Sequence, residues 1–210
     1  LSIRWAAERV PAIVEAWLPG ERGGEAVADV LFGDHEPEGR LPITVPRHVG
    51  QLPVAYDHKP SKAYWIRDGW GKPYADLSPE PLFEFGHGLS YTRFACANLR
   101  VAPSAIGRDG TVEVSVDIAN VGTRPGKEVV QLYLRDLVAS VVVPVRRLRG
   151  FEKVALRAGE TRTVRFTLRP DDLALLDGGL RWTVEPGAFE VAVGTSSRKA
   201  HLTGRFEVLP

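Results

Sequence analysis

Pro81-Leu82-Phe83-Glu84-Phe85-Gly86-His87-Gly88-Leu89-Ser90-Tyr91-Thr92-Arg93-Phe94 packs three Phe, one Tyr, two Leu and two Gly into fourteen positions. Its Gly-His-Gly centre suits a backbone that turns or passes close to another backbone, because Gly tolerates positive φ. The aromatics around it carry enough apolar area to bury a connector rather than leave it swinging. Everything before the stretch reads as mixed helix and strand, and everything after it as short strands. The stretch is therefore expected to be a packed seam between two domains.

After the seam, apolar residues recur with period two. Val112, Val114, Val116 and Ile118 alternate with small or polar residues through 111–120, the pattern of a strand with one face on a core. Comparable runs fall at 129–134, 161–168, 189–193 and 202–208. Turn signals separate them: Asp109-Gly110, Val121-Gly122, Pro125-Gly126, Ala158-Gly159, Asp177-Gly178-Gly179 and Pro186-Gly187. About seven short strands in this region predict an all-β sandwich of immunoglobulin or fibronectin type III-like form. Its inner faces should carry the four residues above with Val130, Leu132, Leu134, Val164, Phe166, Leu168, Phe189, Val191, Val193, Phe206 and Val208.

Before the seam the chain reads as an α+β fragment. The apolar run 10–18 ends at Pro19-Gly20 and favours a buried strand, with a short helix as the alternative. A Gly-rich loop at 19–24 precedes residues 25–32, whose apolar positions have helical spacing, and Gly33 is placed to cap that helix. Strand, Gly loop and helix do not make a phosphate site here. No GxGxxG or GxxxxGK[ST] is present, and Glu21 and Glu25 would repel an anion. Pro42, Pro46, Pro53 and Pro60 then break regular structure, so residues 47–81 form an extended excursion. It is rich in Tyr56, His58, Tyr64, Trp65, Trp70 and Tyr74, with Asp57, Lys59, Arg67, Asp68 and Asp76 between them. Aromatic faces stack on pyranose rings and charged groups bond hydroxyls, so Trp65 and Trp70 are the candidate substrate-binding residues. The alternative role for these aromatics is to fix the excursion onto the neighbouring domain.

Composition narrows the remaining choices. The chain has 210 residues, 44% hydrophobic and 25% charged, as expected of a globular protein with a core. Lys+Arg number 27 against 26 Asp+Glu, a net charge of +1 that offers nucleic acid or an anionic membrane no electrostatic purchase. Arg146-Arg147-Leu148-Arg149 alternates with apolar residues and reads as a strand face. Cys96 is the only cysteine, so no intrachain disulfide and no Cys-based metal site can form. His35, His48, His58, His87 and His201 lack metal-ligand spacing, and there is no GxSxG. No apolar run approaches the roughly 18 residues of a membrane span, and the compartment is left open. With no Met anywhere and Leu1 at the start, the chain is expected to be a piece of something longer.

The run Leu82 to Thr92 resembles the segment leading into the C-terminal domain of family 3 glycoside hydrolases, which include β-glucosidases and β-xylosidases. Trp17, Gly20, Gly24, Asp29-Val30-Leu31-Phe32-Gly33 and Gly39-Arg40-Leu41-Pro42 are similar, in order, to the end of that family's α/β sandwich domain. Glu128-Val129-Val130-Gln131-Leu132-Tyr133, Leu148-Arg149-Gly150-Phe151 and Pro186-Gly187-Ala188-Phe189-Glu190-Val191 match its fibronectin type III-like domain. The resemblance implies three parts: a sandwich-domain tail at 1–46, an aromatic connector at 47–93 and the β-sandwich at 94–210. It also implies an upstream barrel and the rest of the sandwich domain as intramolecular partners. A β-linked oligosaccharide or aryl glycoside is the implied substrate, with no cofactor or metal. In that family the nucleophilic Asp comes from the barrel and the acid/base Glu from the sandwich domain upstream of this match. No position here corresponds to either, so no catalytic residue is carried over. Asp171 with Asp172, Glu36 with Glu38, and Asp57 with Asp68 are the carboxylate pairs this chain could offer, none in a recognisable motif. Two readings stand: the C-terminal portion of a β-glucosidase-like enzyme supplying scaffold and pocket rim, or a stand-alone module binding carbohydrate or protein.

Overall fold

The structure, a computed structural model, describes residues 2–60 and 76–210. Period-two patterning dictates the larger unit. β3 (Val112–Asn120) buries Val112, Val114, Val116 and Ile118 on one face and turns the residues between them away. It pairs antiparallel with β1 (Phe94–Ala102) and β6 (Thr161–Leu168), one on either side. The second sheet runs β2 (Ala105–Ile106), β10 (Ala200–Val208), β9 (Gly187–Gly194), β4 (Gly126–Asp136), β5 (Arg147–Leu156). Only the short β2–β10 pair among these is parallel. The two sheets bury one common core, and Phe189 stacks on its cross-strand partner Phe206 at 5.4 Å. Every expected inner-face residue lies in that core except Phe166, which packs half-buried at its margin. A sandwich of fibronectin type III-like form is what the alternation demanded, and it is what the chain adopts.

β5 departs from simple alternation. Gly150 faces Leu132 while Leu148 faces Tyr133, which leaves Arg149 as an extra residue in the strand. Such a bulge twists a strand and re-aims its side chains. α3 (Pro170–Leu173) and a small hairpin, β7 (Leu175–Leu176) with β8 (Trp182–Thr183), close one end of the sandwich.

The first unit holds α1 (Arg4–Arg9), α2 (Gly23–Phe32) and a 3₁₀ turn at Val49–Gln51. α2 ends as expected on Gly33 in the left-handed region, φ 83°. Its last carbonyls are satisfied from the sandwich side: the Tyr91 hydroxyl donates to Val30 O, and Arg124 donates to Gly33 O at 3.0 Å. A cation there also suits the negative end of the helix.

Residues 10–18 overturn one expectation. They form no strand, and Val10, Ile13, Val14, Trp17 and Leu18 are exposed, Leu18 almost fully at 97%. A buried strand needs hydrogen-bonded neighbours and a covering layer. Among the described residues of the first unit, the only ladder contact is the bridge from Val45 to Phe83, so the run has neither.

We expect Val116→Asp to abolish cooperative thermal unfolding, because it buries an unpaired charge at a fully enclosed position. Glu113→Lys, three residues back along β3 and exposed, should shift stability by less than about 0.5 kcal/mol. Circular dichroism melts of the two variants check both outcomes.

Candidate functional site

The features that bear on function gather where the first unit lies on the five-stranded sheet. The strip Glu36-Pro37-Glu38-Gly39-Arg40 presents a charged side chain at every second residue, and each finds the sandwich. Glu36 accepts from the Lys127 N–H at 2.8 Å and from the Ser90 hydroxyl. Burial pushes its carboxyl above the usual range, against the Lys127 hydrogen bond. Glu38 pairs with Lys127 at 2.7 Å and Lys153 at 3.5 Å, and the Lys127 bond holds its carboxyl low. Arg40 donates twice to Glu128 Oε1, at 3.0 and 2.6 Å, with only 6% and 7% of the two side chains exposed.

From Arg40 the chain continues beside the seam. Gly86 N–H donates to Leu41 O at 2.8 Å and Leu41 N–H to His87 O at 2.9 Å. Val45 N–H then meets Phe83 O, and Leu82 N–H meets Val45 O, each at 2.8 Å. Gly86, at φ 81°, sits so close to Gln131 that a β-carbon would collide with its amide. The Gln131 Nε2 donates to Gly86 O at 3.2 Å and Thr195 O at 2.8 Å, while its Oε1 accepts from Tyr133. Glu84 accepts from the Ser196 hydroxyl at 2.9 Å, and Ser197 N–H donates to Phe85 O at 2.9 Å. His87 stacks on Phe83 at 5.2 Å, with Nδ1 4.0 Å from Glu84. Burial lowers its pKa, opposed by Glu84 and reinforced by Lys199 and Arg40.

The aromatic excursion is tied down at both of its described ends. On the way in, Tyr56 stacks on Phe85 at 4.3 Å and meets Tyr133 edge-on at 5.9 Å. Its hydroxyl accepts from Leu148 N–H at 3.3 Å, beside the bulge, and Val145 N–H donates to His58 O at 3.0 Å. On the way out, buried Gln51 accepts from Arg47 N–H and donates to Ser78 O at 2.9 Å. Arg47 donates to Glu80 O at 3.0 Å, and the Glu80 carboxylate pairs with Arg198. Trp65 and Trp70, the substrate-binding candidates, lie outside the described residues, as do Tyr64, Asp68 and Tyr74.

Of the candidate carboxylates, Asp57 is exposed and Asp68 lies outside the described residues. Glu36 and Glu38 join the two units as above. Asp172 accepts from Arg169 N–H at the start of α3, while Asp171 is exposed in that helix's first turn. Among the described residues no group of three His, Cys, Asp or Glu could hold a metal ion. The Cys96 thiol, half-buried against the core, is pushed up to about 11 by burial and is a poor nucleophile at neutral pH.

Sequence reasoning found Tyr56 as one aromatic among several and missed its partners. Arg40, Glu128 and Gln131 stand in the sequence only as members of family motifs with no role attached, and Gln51 carries no signal at all. Only the alternation of Glu36, Glu38 and Arg40 hinted that an extended strip would face a charged neighbour.

A family model of the glycosyl hydrolase family 3 C-terminal domain matches residues 1–91, and one of the fibronectin type III-like domain matches 128–197. The chain is 42% identical to a periplasmic β-glucosidase of Salmonella typhimurium, over 96% of its own length and 27% of that protein. It is 45% identical to a β-xylosidase of Formosa agariphila, covering 94% of this chain and 27% of that one. A solved β-glucosidase from Erythrobacter marinus superposes with a TM-score of 0.91 at 41% identity, over 100% of this chain and 27% of that one. The β-glucosidase of Listeria innocua in complex with glucose gives 0.92 at 36% identity, over 100% and 29%. The chain thus spans 27% of the length of these two curated relatives.

Removing one partner of the buried pair, by Arg40→Ala, should cost about 3–5 kcal/mol, since Glu128 would keep its charge without its counter-ion. Chemical denaturation of the chain measures this. His87 should make stability pH-dependent. Burial holds its folded pKa below the ordinary imidazole value of 6.5, so its contribution is full above that pH and is lost as pH falls below it. The melting temperature of His87→Gln should therefore decline less than that of the parent chain between pH 7 and pH 5.

Proposed function

The chain belongs to the family 3 glycosyl hydrolases, whose C-terminal region it matches, and we propose that it buttresses the substrate pocket of a β-glucosidase-like enzyme and contributes to that pocket's rim. The substrate would be a β-linked oligosaccharide or aryl glycoside, cleaved at its O-glycosyl bond. A β-xyloside is the runner-up, favoured by the 45% identity to a β-xylosidase. The reading divides the chain into a sandwich-domain tail at 1–46, the aromatic connector at 47–93 and the β-sandwich at 94–210.

One observation carries the proposal: the excursion is anchored on both sides of residues 61–75 by separate contacts, Tyr56 on Phe85 and buried Gln51 on Ser78. Fixed ends of this kind are the scaffold that binding loops require. Trp65 and Trp70 fall within it, and their ring faces suit a sugar's C–H surface. The chemistry itself needs two carboxyl groups flanking the bond, about 5–5.5 Å apart in a retaining enzyme. The described candidates here are committed to pairs and caps or exposed, so acid and nucleophile would come from the upstream barrel and sandwich domains. Weighing against a stand-alone binding module, Trp17, Leu18, Leu31 and Phe32 leave a broad apolar surface in water.

The 210-residue chain should hydrolyse neither aryl β-glucosides nor β-xylosides, while a parent enzyme carrying the upstream domains should. In that parent, Trp70→Ala should lower kcat/KM by the equivalent of about 1–3 kcal/mol, the scale of one stacking contact. Unchanged kinetics with a lower melting temperature would make Trp70 a structural anchor. Turnover that co-purifies with the 210-residue chain and disappears in Asp57→Ala would place catalysis inside the excursion and overturn the reading.

A further inference from the structure

Away from the seam, one end of the sandwich holds apolar side chains in solvent on a stiff frame. Of the ten residues joining β4 to β5, the first nine, 137–145, read Leu-Val-Ala-Ser-Val-Val-Val-Pro-Val without a charge, and Arg146 completes the connection. Val138 is 80% exposed, and Val142 is exposed as well. Beside them stands the β7–β8 hairpin, with Leu176 opposite Trp182 and Leu180 at its tip. Trp182 is 72% exposed, and Leu180 is exposed while held at φ 60°, a conformation a leucine seldom adopts.

This is not a loose tip. Ser140 N–H donates to one Glu185 oxygen at 2.9 Å and its hydroxyl to the other, and Leu137 N–H donates to Ala188 O at 3.1 Å. Asp177 accepts from the Gly179 and Arg181 N–H groups at 2.8 and 2.9 Å and pairs with the Arg181 guanidinium at 3.2 Å. Asp177 is thus paired within the hairpin and the Glu185 carboxylate is hydrogen-bonded by Ser140, while the uncovered side chains are apolar. A pre-ordered apolar surface loses little entropy when something packs on it. A loop meant only for solvent has no reason for this composition.

The same edge is already an interface. Val145 N–H holds His58 O, and Leu148 N–H holds the Tyr56 hydroxyl, so the strip of the first unit that enters 61–75 runs alongside the patch. The chain amounts to 27% of the length of its curated relatives, which leaves most of such a polypeptide to be accommodated. We propose that the upstream part of the same polypeptide continues this interface and covers residues 137–145 and the β7–β8 hairpin. The sandwich would then be gripped at this end as well as at the seam. The proposal rests on the chain being the C-terminal part of a longer enzyme.

Hydroxyl-radical footprinting of Trp182 tests it, comparing the parent enzyme with the 210-residue chain. Oxidation should be about tenfold slower in the parent, where the ring is covered. Equal rates overturn the proposal. Protection that grows with protein concentration also overturns it, because a second copy would then be the cover. The double variant Trp182→Glu, Val142→Glu gives an independent reading in the parent alone. A lower melting temperature is expected, and an unchanged one overturns the proposal. Both side chains are exposed in the chain itself, so its own folding does not confound the result. If the parent cleaves no glycoside yet Trp182 is protected, the functional reading fails and the interface stands.

Discussion

The ion pair between Arg40 and Glu128 constrains how everything else is arranged. A guanidinium and a carboxylate withdrawn from water must find each other, because either alone carries a desolvation cost that nothing nearby offsets. One partner belongs to the first unit and the other to the sandwich. Their meeting therefore sets the register of the strip 36–45 against the sheet. Glu36 and Glu38 extend that register toward Lys127 and Lys153, and the seam residues 82–87 pair with the strip on its other side.

A consequence is visible in β4. In an ordinary sandwich the strand would bury one face and wet the other. Here Val130, Leu132 and Leu134 enter the core, while Gln131 and Tyr133 are buried beneath Gly86 and Tyr56. Burying a glutamine is tolerable only because its amide is fully used, by two carbonyls and a tyrosine hydroxyl. The sheet is covered on both sides along this strand, and the two units behave as one mechanical body around it.

That rigidity gives the functional reading its physical sense. Contacts to a sugar are effective when the groups making them are held before the sugar arrives, so that binding does not also have to order a loop. The excursion's ends are held by an aromatic stack, an amide with three partners and an ion pair, each drawn from a different part of the chain. Among the described residues, the candidate carboxylates are spent on holding the assembly together or are left in solvent. In the functional reading, support falls to this stretch of polypeptide and catalysis to another.

How much of this was legible in the sequence depends on the range of the interactions involved. Period-two alternation is local, so β3, β6, β9 and β10 and nearly all of the core could be read directly, as could α2 and its Gly33 cap. The family motifs around Gly86 and Gly187 carried the same information in another form. The run 10–18 was misjudged because apolar composition announces a wish to be buried but not the presence of a partner to bury it. Arg40 and Glu128 are 88 residues apart, and Gln131 reaches Gly86 across 45. No local pattern marks such pairs. By itself, then, the sequence determined the alternating strands, their inner faces and the resemblance to the family. Tertiary structure alone decided which polar residues would be buried, how the bulge at Arg149 sets Leu148 against Tyr56, and where the excursion is pinned. Those outcomes follow from desolvated groups having to satisfy one another across distant segments, a requirement that exists only once the chain has folded.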